Sequence, residues 1–450
     1  MIFLMKFKDA FHPKSLRLAF QKLSRIRQPM KCNPTHIAVS ALSLSFLSSV
    51  FAGEDDLTYI PPEDSPTPIP TSDGGPNAFK WLTPSVDIRT RFEYREIDGQ
   101  DPSTSVTARG RLGLTLGNFN GFSAFGEIEA TTAIHDDFTV GQPNISPNDP
   151  NQTPIADPES AEINRAWLQY KKDGILLKGG RQRIIRNDAF HIGNVGWRQN
   201  EQTFDAAQIG YTKDDFNISY VYSWRAQRIF GSDALGAAAE FTGDFHLIDL
   251  SYDAEIGKLG AYAYLIDVDN NAAVGESNSF GIFGDFGPLY LEFAYQEGDS
   301  SLANGDYDAV SARGHYTLKT DYGNFAVGAD WTQEDFKTPF QTAHAHFGFA
   351  DAFLAQQVGL NEANGFDGIF DGYLKYTKTG LPGGITFKAH LHYFTNDSLD
   401  SPYGYEIDAV LVKKFTDNLT GLIKGAFFQA DGGSEFSDIN QITVDLSYKY

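Results

Sequence analysis

The sequence predicts an all-β protein, a transmembrane antiparallel barrel of about eighteen strands with short periplasmic turns and long extracellular loops. Three observations carry that prediction. Apolar and polar residues alternate with period two along most of the chain, the pattern of strands with two unlike faces. The connections between these segments alternate in length, tight turns following the even segments and long polar loops the odd ones. No stretch past Pro84 holds a sustained 3.6-residue apolar period or an apolar run long enough for a membrane helix.

The N-terminal part of the chain reads differently. Met30–Ala52, "MKCNPTHIAVSALSLSFLSSVFA", joins the charged Lys31 to an apolar stretch and ends in small residues. It is expected to be a secretory signal peptide cleaved after Ala52. The basic residues before it leave Met1 and Met30 as alternative starts, so 1–52 is taken as extension plus signal. Cys32, the only cysteine, falls inside it, and the exported chain is expected to need no disulfide. Residues 53–80 are Pro-rich and acidic and read as a linker without a fold. The barrel is expected over 81–450.

Strands are expected to start near 84, 104, 121, 160, 174, 202, 216, 242, 257, 277, 288, 306, 322, 366, 384, 404, 418 and 438, about eighteen in all. In the first, Val86, Ile88, Phe92 and Tyr94 share one face, and Asp87, Arg89, Arg91, Glu93 and Arg95 share the other. In the second, Val106, Ala108, Leu112, Leu114 and Leu116 oppose Thr107, Arg109, Arg111 and Thr115. In the third, Ile128 opposes Glu127 and Glu129. The last, "ITVDLSYKY", alternates to the final Tyr450. Tight turns are expected at 117–121, 171–174, 212–215 and 319–323, and long loops at 135–159, 186–201, 228–241 and 334–365. A soluble β-rich sandwich would not sort short and long connections to opposite ends; a barrel with one end in the periplasm does. Its outward face is apolar because lipid touches it, and about eighteen strands enclose a water-filled lumen rather than a packed core.

The polar face then lines that lumen. Neighbouring strands bring Arg89, Arg91, Arg109 and Arg111 beside Glu127 and Glu129, and Arg165, Arg313 and Lys388 are further inward candidates. Arg181 and Arg183 of "GGRQRII" are expected to share the lumen face, since an arginine on the lipid face would cost ~2–4 kcal/mol near mid-bilayer. Arg186 and Arg198 are expected in the loop above, near Trp197. Two readings of the arginines stand side by side. They favour passing anions, or they pair with acids on facing strands and stiffen the wall.

The chain has 58 acidic against 36 basic residues, a net charge of −22, which speaks against a nucleic-acid partner. His390 and His392 lie on one face, and His344 and His346 sit in a loop. Two histidines without further matched ligands do not make a metal site, so neither metal nor cofactor is expected. G-x-S-x-G, Walker A and H-E-x-x-H patterns are absent, and no enzyme is expected.

"EINRAWLQY" followed by "GRQRI", then "GNVGWRQNEQTFDA" and later "AHAHFGFADAFL", is similar to the alginate-export family of outer-membrane proteins. The resemblance runs from about Trp81 to Tyr450. It implies an eighteen-stranded barrel and passive diffusion of a negatively charged uronic-acid polysaccharide through an Arg-rich lumen gated by loops or turns. Arg181 and Arg183 correspond to its glycine–arginine motif, and Trp197, Arg198 and Gln199 to the loop motif that follows. The turns of this chain are short, so a turn-based plug is not expected, and the loops at 135–159 and 334–365 are the candidates to fold inward. The expected function is a channel for anionic solutes, with outer-membrane lipid, an anionic saccharide or other small solute, and periplasmic secretion proteins as partners. A general or nutrient-uptake porin is the alternative, with an outer-membrane enzyme or a glycan-binding adhesin behind it.

Overall fold

Alternating residues along a strand must point to opposite faces, and in the computed structural model of the protein this alternation closes into one barrel. The structure describes residues 81–142, 145–147, 149–301, 305–354 and 366–450. The expected signal peptide and linker lie outside them. The wall begins with β1 (Leu82–Ile97), β2 (Ser103–Phe119), β3 (Phe122–Asp137), β4 (Ser160–Lys172), β5 (Ile175–Gln182) and β6 (Thr203–Lys213). It continues with β7 (Phe216–Gln227), β8 (Glu240–Ala254), β9 (Gly257–Val268), β10 (Glu276–Asp285), β11 (Leu289–Ser300) and β12 (Gly305–Thr320). The last strands are β13 (Gly323–Thr332), β14 (Ile369–Leu381), β15 (Ile385–Thr395), β16 (Pro402–Lys414), β17 (Leu419–Ala430) and β18 (Ile439–Lys449).

Every strand pairs antiparallel with its sequence neighbours, and β18 closes on β1 from Asp87↔Lys449 to Ile97↔Ile439. Closure leaves no edge, so every strand has a hydrogen-bonding partner on both sides, which a barrel in hydrocarbon requires. The outer face exposes Ile88, Phe92, Leu112, Leu114, Ile128 and Leu168. These residues have lipid as their partner. On the same strands Arg89, Arg91, Arg109, Arg111, Glu127 and Glu129 are buried on the inside.

The connections sort by length as expected. At one end β4 and β5 are joined by Asp173 and Gly174 alone, both at positive φ, +52° and +80°. That is the backbone a two-residue hairpin needs, and it explains the Asp-Gly pair. The same turn chemistry recurs at Asn120 and Gly121, also at positive φ. At the other end lie the connections 138–159, 183–202, 228–239 and 333–368.

The lumen differs from the expectation. It is not an open aqueous bore, because three of the long connections fold into it. Phe138 and Ile155 from the first, Phe190 and Ile192 from the second, and Phe340, Phe347 and Phe353 from the third are all buried. The reason lies in the opposing wall. The inward rows of β6 to β9 are apolar, with Phe204, Val221, Phe245, Leu247, Tyr264 and Ile266 in one cluster with Phe190, Phe340, Phe347 and Phe353, while Phe138 and Ile155 pack in a second cluster with Phe230. A lining of that kind removes apolar surface from water only if something packs on it, and the loops supply it. Ile192 and Phe340 pair as an isolated bridge, so the second and third loops also hold each other.

Candidate functional site: an arginine wall under two inward loops

The site is built on β1 and β2, where period two sets basic residues in register: Arg89↔Arg109, Asp87↔Arg111 and Arg91↔Thr107 are cross-strand pairs. Like charges so close repel unless partners intervene. Most of the arginines have them. Arg91 forms a bidentate pair with Asp445 of β18, at 2.7 and 2.8 Å, and lies 3.5 Å from Asp157. Arg109 reaches Asp87 at 2.5 Å. Arg111 bonds Glu129 of β3 and lies 3.4 Å from Glu201. One strand on, Arg165 holds Glu127 through two bonds of 2.9 Å.

Two arginines are satisfied differently. Arg89 donates to the side-chain oxygen of Gln199 at 3.0 Å and to the carbonyls of Gly196 and Arg198. Arg95 donates to the carbonyl of Pro154 at 3.2 Å and that of Ala350 at 2.8 Å. Neither has a carboxylate within ion-pairing distance among the described residues. Both are buried, so loop carbonyls occupy the places around these two guanidinium groups where an anion's oxygens would fit.

The loop tip 194–202 is fastened by its own charges. Arg198 donates to both oxygens of Glu93 at 3.0 and 3.1 Å. The backbone N–H of Gln199 donates to Asp157 at 2.9 Å, and its side-chain amide donates to Thr107. Glu201 accepts from Arg183 at 2.6 and 2.7 Å, from Asn164 at 2.8 Å and from Asn194 at 2.6 Å. Burial pushes the Glu201 carboxyl up, but Arg111 and Arg183 beside it outweigh burial and hold it well below its ordinary range. Trp197 is enclosed by cations. Arg198 stands 3.8 Å, Lys424 4.2 Å and Arg91 5.2 Å from its ring centroid.

The third loop meets the second over this point. His344 stacks flat on Trp197, accepts from Lys424 at Nε2 and faces Asp351 at 3.0 Å through Nδ1. On the far wall Arg313 of β12 binds Asp188 at 2.8 Å, Glu292 at 3.2 Å and Asp330 at 3.3 Å, with the Phe190 ring beneath it. His346 sits between the two loops, 3.1 Å from the Arg313 guanidinium at Nδ1 and 3.1 Å from the Asp188 carbonyl at Nε2. Both contacts suit a neutral ring with its proton on Nε2. Burial, with Lys424 beside it, lowers the His344 pKa to about 3, and burial lowers that of His346 to about 4. Asp188 is also displaced: burial raises it, but Arg313 and His346 carry it well below its usual range.

The predicted residues therefore divide. Arg89, Arg91, Arg109, Arg111, Glu127, Glu129 and Arg165 form one patch on β1 to β4 with Arg183, Trp197, Arg198 and Gln199 packed on or beside it. Arg313 is inside but belongs to the far wall. Lys388 shares the inward row of β15 with His390 and His392, four strands round from β1.

Two expectations are corrected. Arg181 and Arg183 do not share a face. Arg181 pairs across with Ala166, on the row of the exposed Leu168 and Leu177, and its guanidinium binds Asp205 at 2.8 Å near the outer rim. Arg183 lies past the end of β5, where the chain has turned inward to Glu201. A charged Arg181 is tolerated outside because Asp205 pairs with it and the rim lies away from mid-bilayer. Secondly, the segment with Trp197 and Arg198 does not stand above the pore; it lies within it.

Sequence reasoning passed over Asp157, Glu201, Lys424 and Asp445 as site residues. Lys424 and Asp445 were within reach, as lone charges at inward positions of alternating strands. Asp157 and Glu201 carried no such signal, because loop residues have no period.

Residues 80–224 match the family model described as alginate export, a stretch that holds β1 to β7, the arginine patch and the second loop. The match and the closed barrel fit an alginate-export family outer-membrane protein. Solved barrels share the fold. OccAB4 of Acinetobacter baumannii is 13% identical with a TM-score of 0.60, over 84% of this chain and all of that one. A BenF-like porin from Pseudomonas fluorescens Pf-5 is 12% identical with a TM-score of 0.58, over 82% of this chain and 99% of its own. OccK2 (OpdF) of Pseudomonas aeruginosa, solved in complex with glucuronate, is 12% identical with a TM-score of 0.58, over 82% and 97%. No curated protein matches by sequence. Over that stretch the chain is similar in sequence to alginate-export proteins, and the barrel as a whole shares its fold with solved outer-membrane porins.

Proposed function

We propose that this channel passes anionic solutes of the uronate class, saccharides with a carboxylate on each sugar, by passive diffusion along the β1–β2 arginines. The observation that carries the reading is Arg89 together with Arg95. Both guanidinium groups are buried, and both donate to loop carbonyls instead of acids. When the loops 138–159, 183–202 and 333–354 withdraw, these two groups are left without partners. A carboxylate replaces several carbonyls in one bidentate contact, and water replaces it in turn as the solute moves on. The alginate-export match over this part of the chain and the glucuronate held by OccK2 point the same way. With no nucleotide-binding motif in the chain, the flow is downhill.

Planar-bilayer recording tests the proposal. Reversal potentials in a salt gradient are expected to show anion preference, and glucuronate or oligouronates are expected to interrupt the current where neutral sugars of equal size do not. Arg89→Ala with Arg95→Ala is expected to lower both effects. Permeation that ignores solute charge would overturn the reading and leave a general porin.

A further inference from the structure

The inward rows of β15 and β16 set two histidines opposite two acids: His392↔Glu406 and His390↔Asp408 are cross-strand pairs. The side chains of His392, Glu406 and Asp408 are at most 1% exposed. A buried carboxylate ordinarily has hydrogen bonds to offset its lost water. Asp408 accepts from no N–H or hydroxyl, and beside it stands the Glu406 carboxyl, whose Oε2 also lacks a donor, as Nε2 of His392 lacks a partner. The nearby lysines are engaged elsewhere. Lys375 lies over the Tyr373 ring, and Lys424 is held by His344 and Trp197.

The orphaned atoms converge. One oxygen of Asp408 lies 3.9 Å from His390 Nδ1 and 3.8 Å from His392 Nε2. These distances exceed hydrogen bonds but match two donors sharing an ion, since ligands bound at about 2.0–2.2 Å stand at most about 4.4 Å apart. The three ligand atoms all lie within 4.8 Å of one another, and a tetrahedral ion would draw them to about 3.4 Å, a movement within the reach of side-chain rotation. The second layer is also in place. Nδ1 of His392 faces both oxygens of Asp371 at 2.9 Å. That contact holds the proton on Nδ1 and turns the Nε2 lone pair toward Asp408, the carboxylate–histidine–metal arrangement of metal sites.

We infer that His390, His392 and Asp408 form a divalent transition-metal site in the channel wall, with Asp371 as its positioning residue and Glu406 beside it. Two imidazoles and a carboxylate suit Zn2+, leaving a further position for water or for an anionic solute. The expectation that the histidines lacked matching ligands is revised by β16, whose acids the register delivers to them. The site adjoins the inward loop, because Glu406 also accepts the Ala350 N–H at 2.8 Å and Phe349 packs on His390. An ion there gives this acidic strip of lumen a positive centre, with Phe349 between it and the His344–Trp197 stack.

The test uses the folded barrel in detergent, without a polyhistidine tag and stripped by chelator. Zn2+ titration by calorimetry and Co2+ titration by visible absorption are expected to give one site per chain, with the ligand-field bands of a nitrogen–oxygen shell. Asp408→Asn and the double change His390→Gln, His392→Gln are expected to abolish both signals while the heat-modifiable migration of a closed barrel persists. Asp371→Asn is expected to weaken Zn2+ by about 10–100-fold with the stoichiometry unchanged. A folded wild-type protein that binds no stoichiometric Zn2+ overturns the inference, as does binding that survives in the double histidine variant. In that case Asp408 and Glu406 share a proton in place of a metal.

Discussion

Trp197 lies flat on His344, ring centroids 3.5 Å apart and planes within 9°, and this stack, with the Ile192–Phe340 bridge, joins two loops that enter the barrel from different strands. The pair stands directly over the arginine patch, with Arg91, Arg198 and Lys424 around the indole. The cations that hold the indole are themselves ion-paired to the wall, Arg91 to Asp445 and Arg198 to Glu93, so the contribution of this contact to loop docking can be measured.

Trp197→Ala removes the stack and the surrounding cation–π contacts, worth together about 2 kcal/mol or more. That is roughly a 30-fold shift toward loops withdrawn from the lumen. The expected outcome is a larger mean conductance in planar bilayers with an unchanged barrel fold. An unaltered conductance would show that the loops are held by their phenylalanines instead.

Arg111→Ala and Arg89→Ala are expected to behave differently although the residues neighbour each other. Removing Arg111 leaves the buried carboxylates of Glu129 and Glu201 short of a cation, at a cost of about 3–5 kcal/mol. Removing Arg89 frees only carbonyls and one amide, at about 1–3 kcal/mol. Denaturant unfolding of the two variants should separate them, while bilayer selectivity should change more for Arg89→Ala per unit of stability lost.

Acid should open the channel. His344 and His346 are neutral in the docked loops, with pKa values lowered to about 3 and about 4, against 6.5 for the ordinary side chain. Below 6.5 a released loop takes up protons that the docked loop does not, so docking is full above about 6.5 and is lost progressively as pH falls toward 4 and 3. Asp188, held low by Arg313, stays ionised over this window. Conductance or protease access to 333–354 measured from pH 7.5 to 4.5 should rise as the pH falls. His344→Gln with His346→Gln should flatten that dependence.

Gly193 is a close-approach position. A Cβ added there would fall within the side chain of Thr342 and 2.8 Å from the Ala189 Cβ, between the same two loops. Gly193→Ala is expected to weaken docking by about 1–3 kcal/mol through overpacking. Faster proteolysis within 183–202, at a global stability close to wild type, is the readout.

The sequence by itself determined the wall. Each expected strand start lies within three residues of the observed one, and the sorting of short and long connections was legible. Alternation and turn residues are local signals, and in a barrel closed by neighbouring strands local signals are nearly the whole topology. It also placed Arg89, Arg91, Arg109 and Arg111 inside, because parity carries a face along a strand. Tertiary structure alone decided what fills the lumen. The loops have no period, so nothing in "GNVGWRQNEQ" tells that Gln199 meets Arg89 or that Glu201 meets Arg111. The inward apolar rows of β8 and β9 read as strands either way. Parity fails for Arg181 and Arg183 because one ends a strand at the rim and the other begins a loop. The arginines pair with acids and also bind loop carbonyls, a balance between wall and loop set by contacts more than a hundred residues apart in the chain.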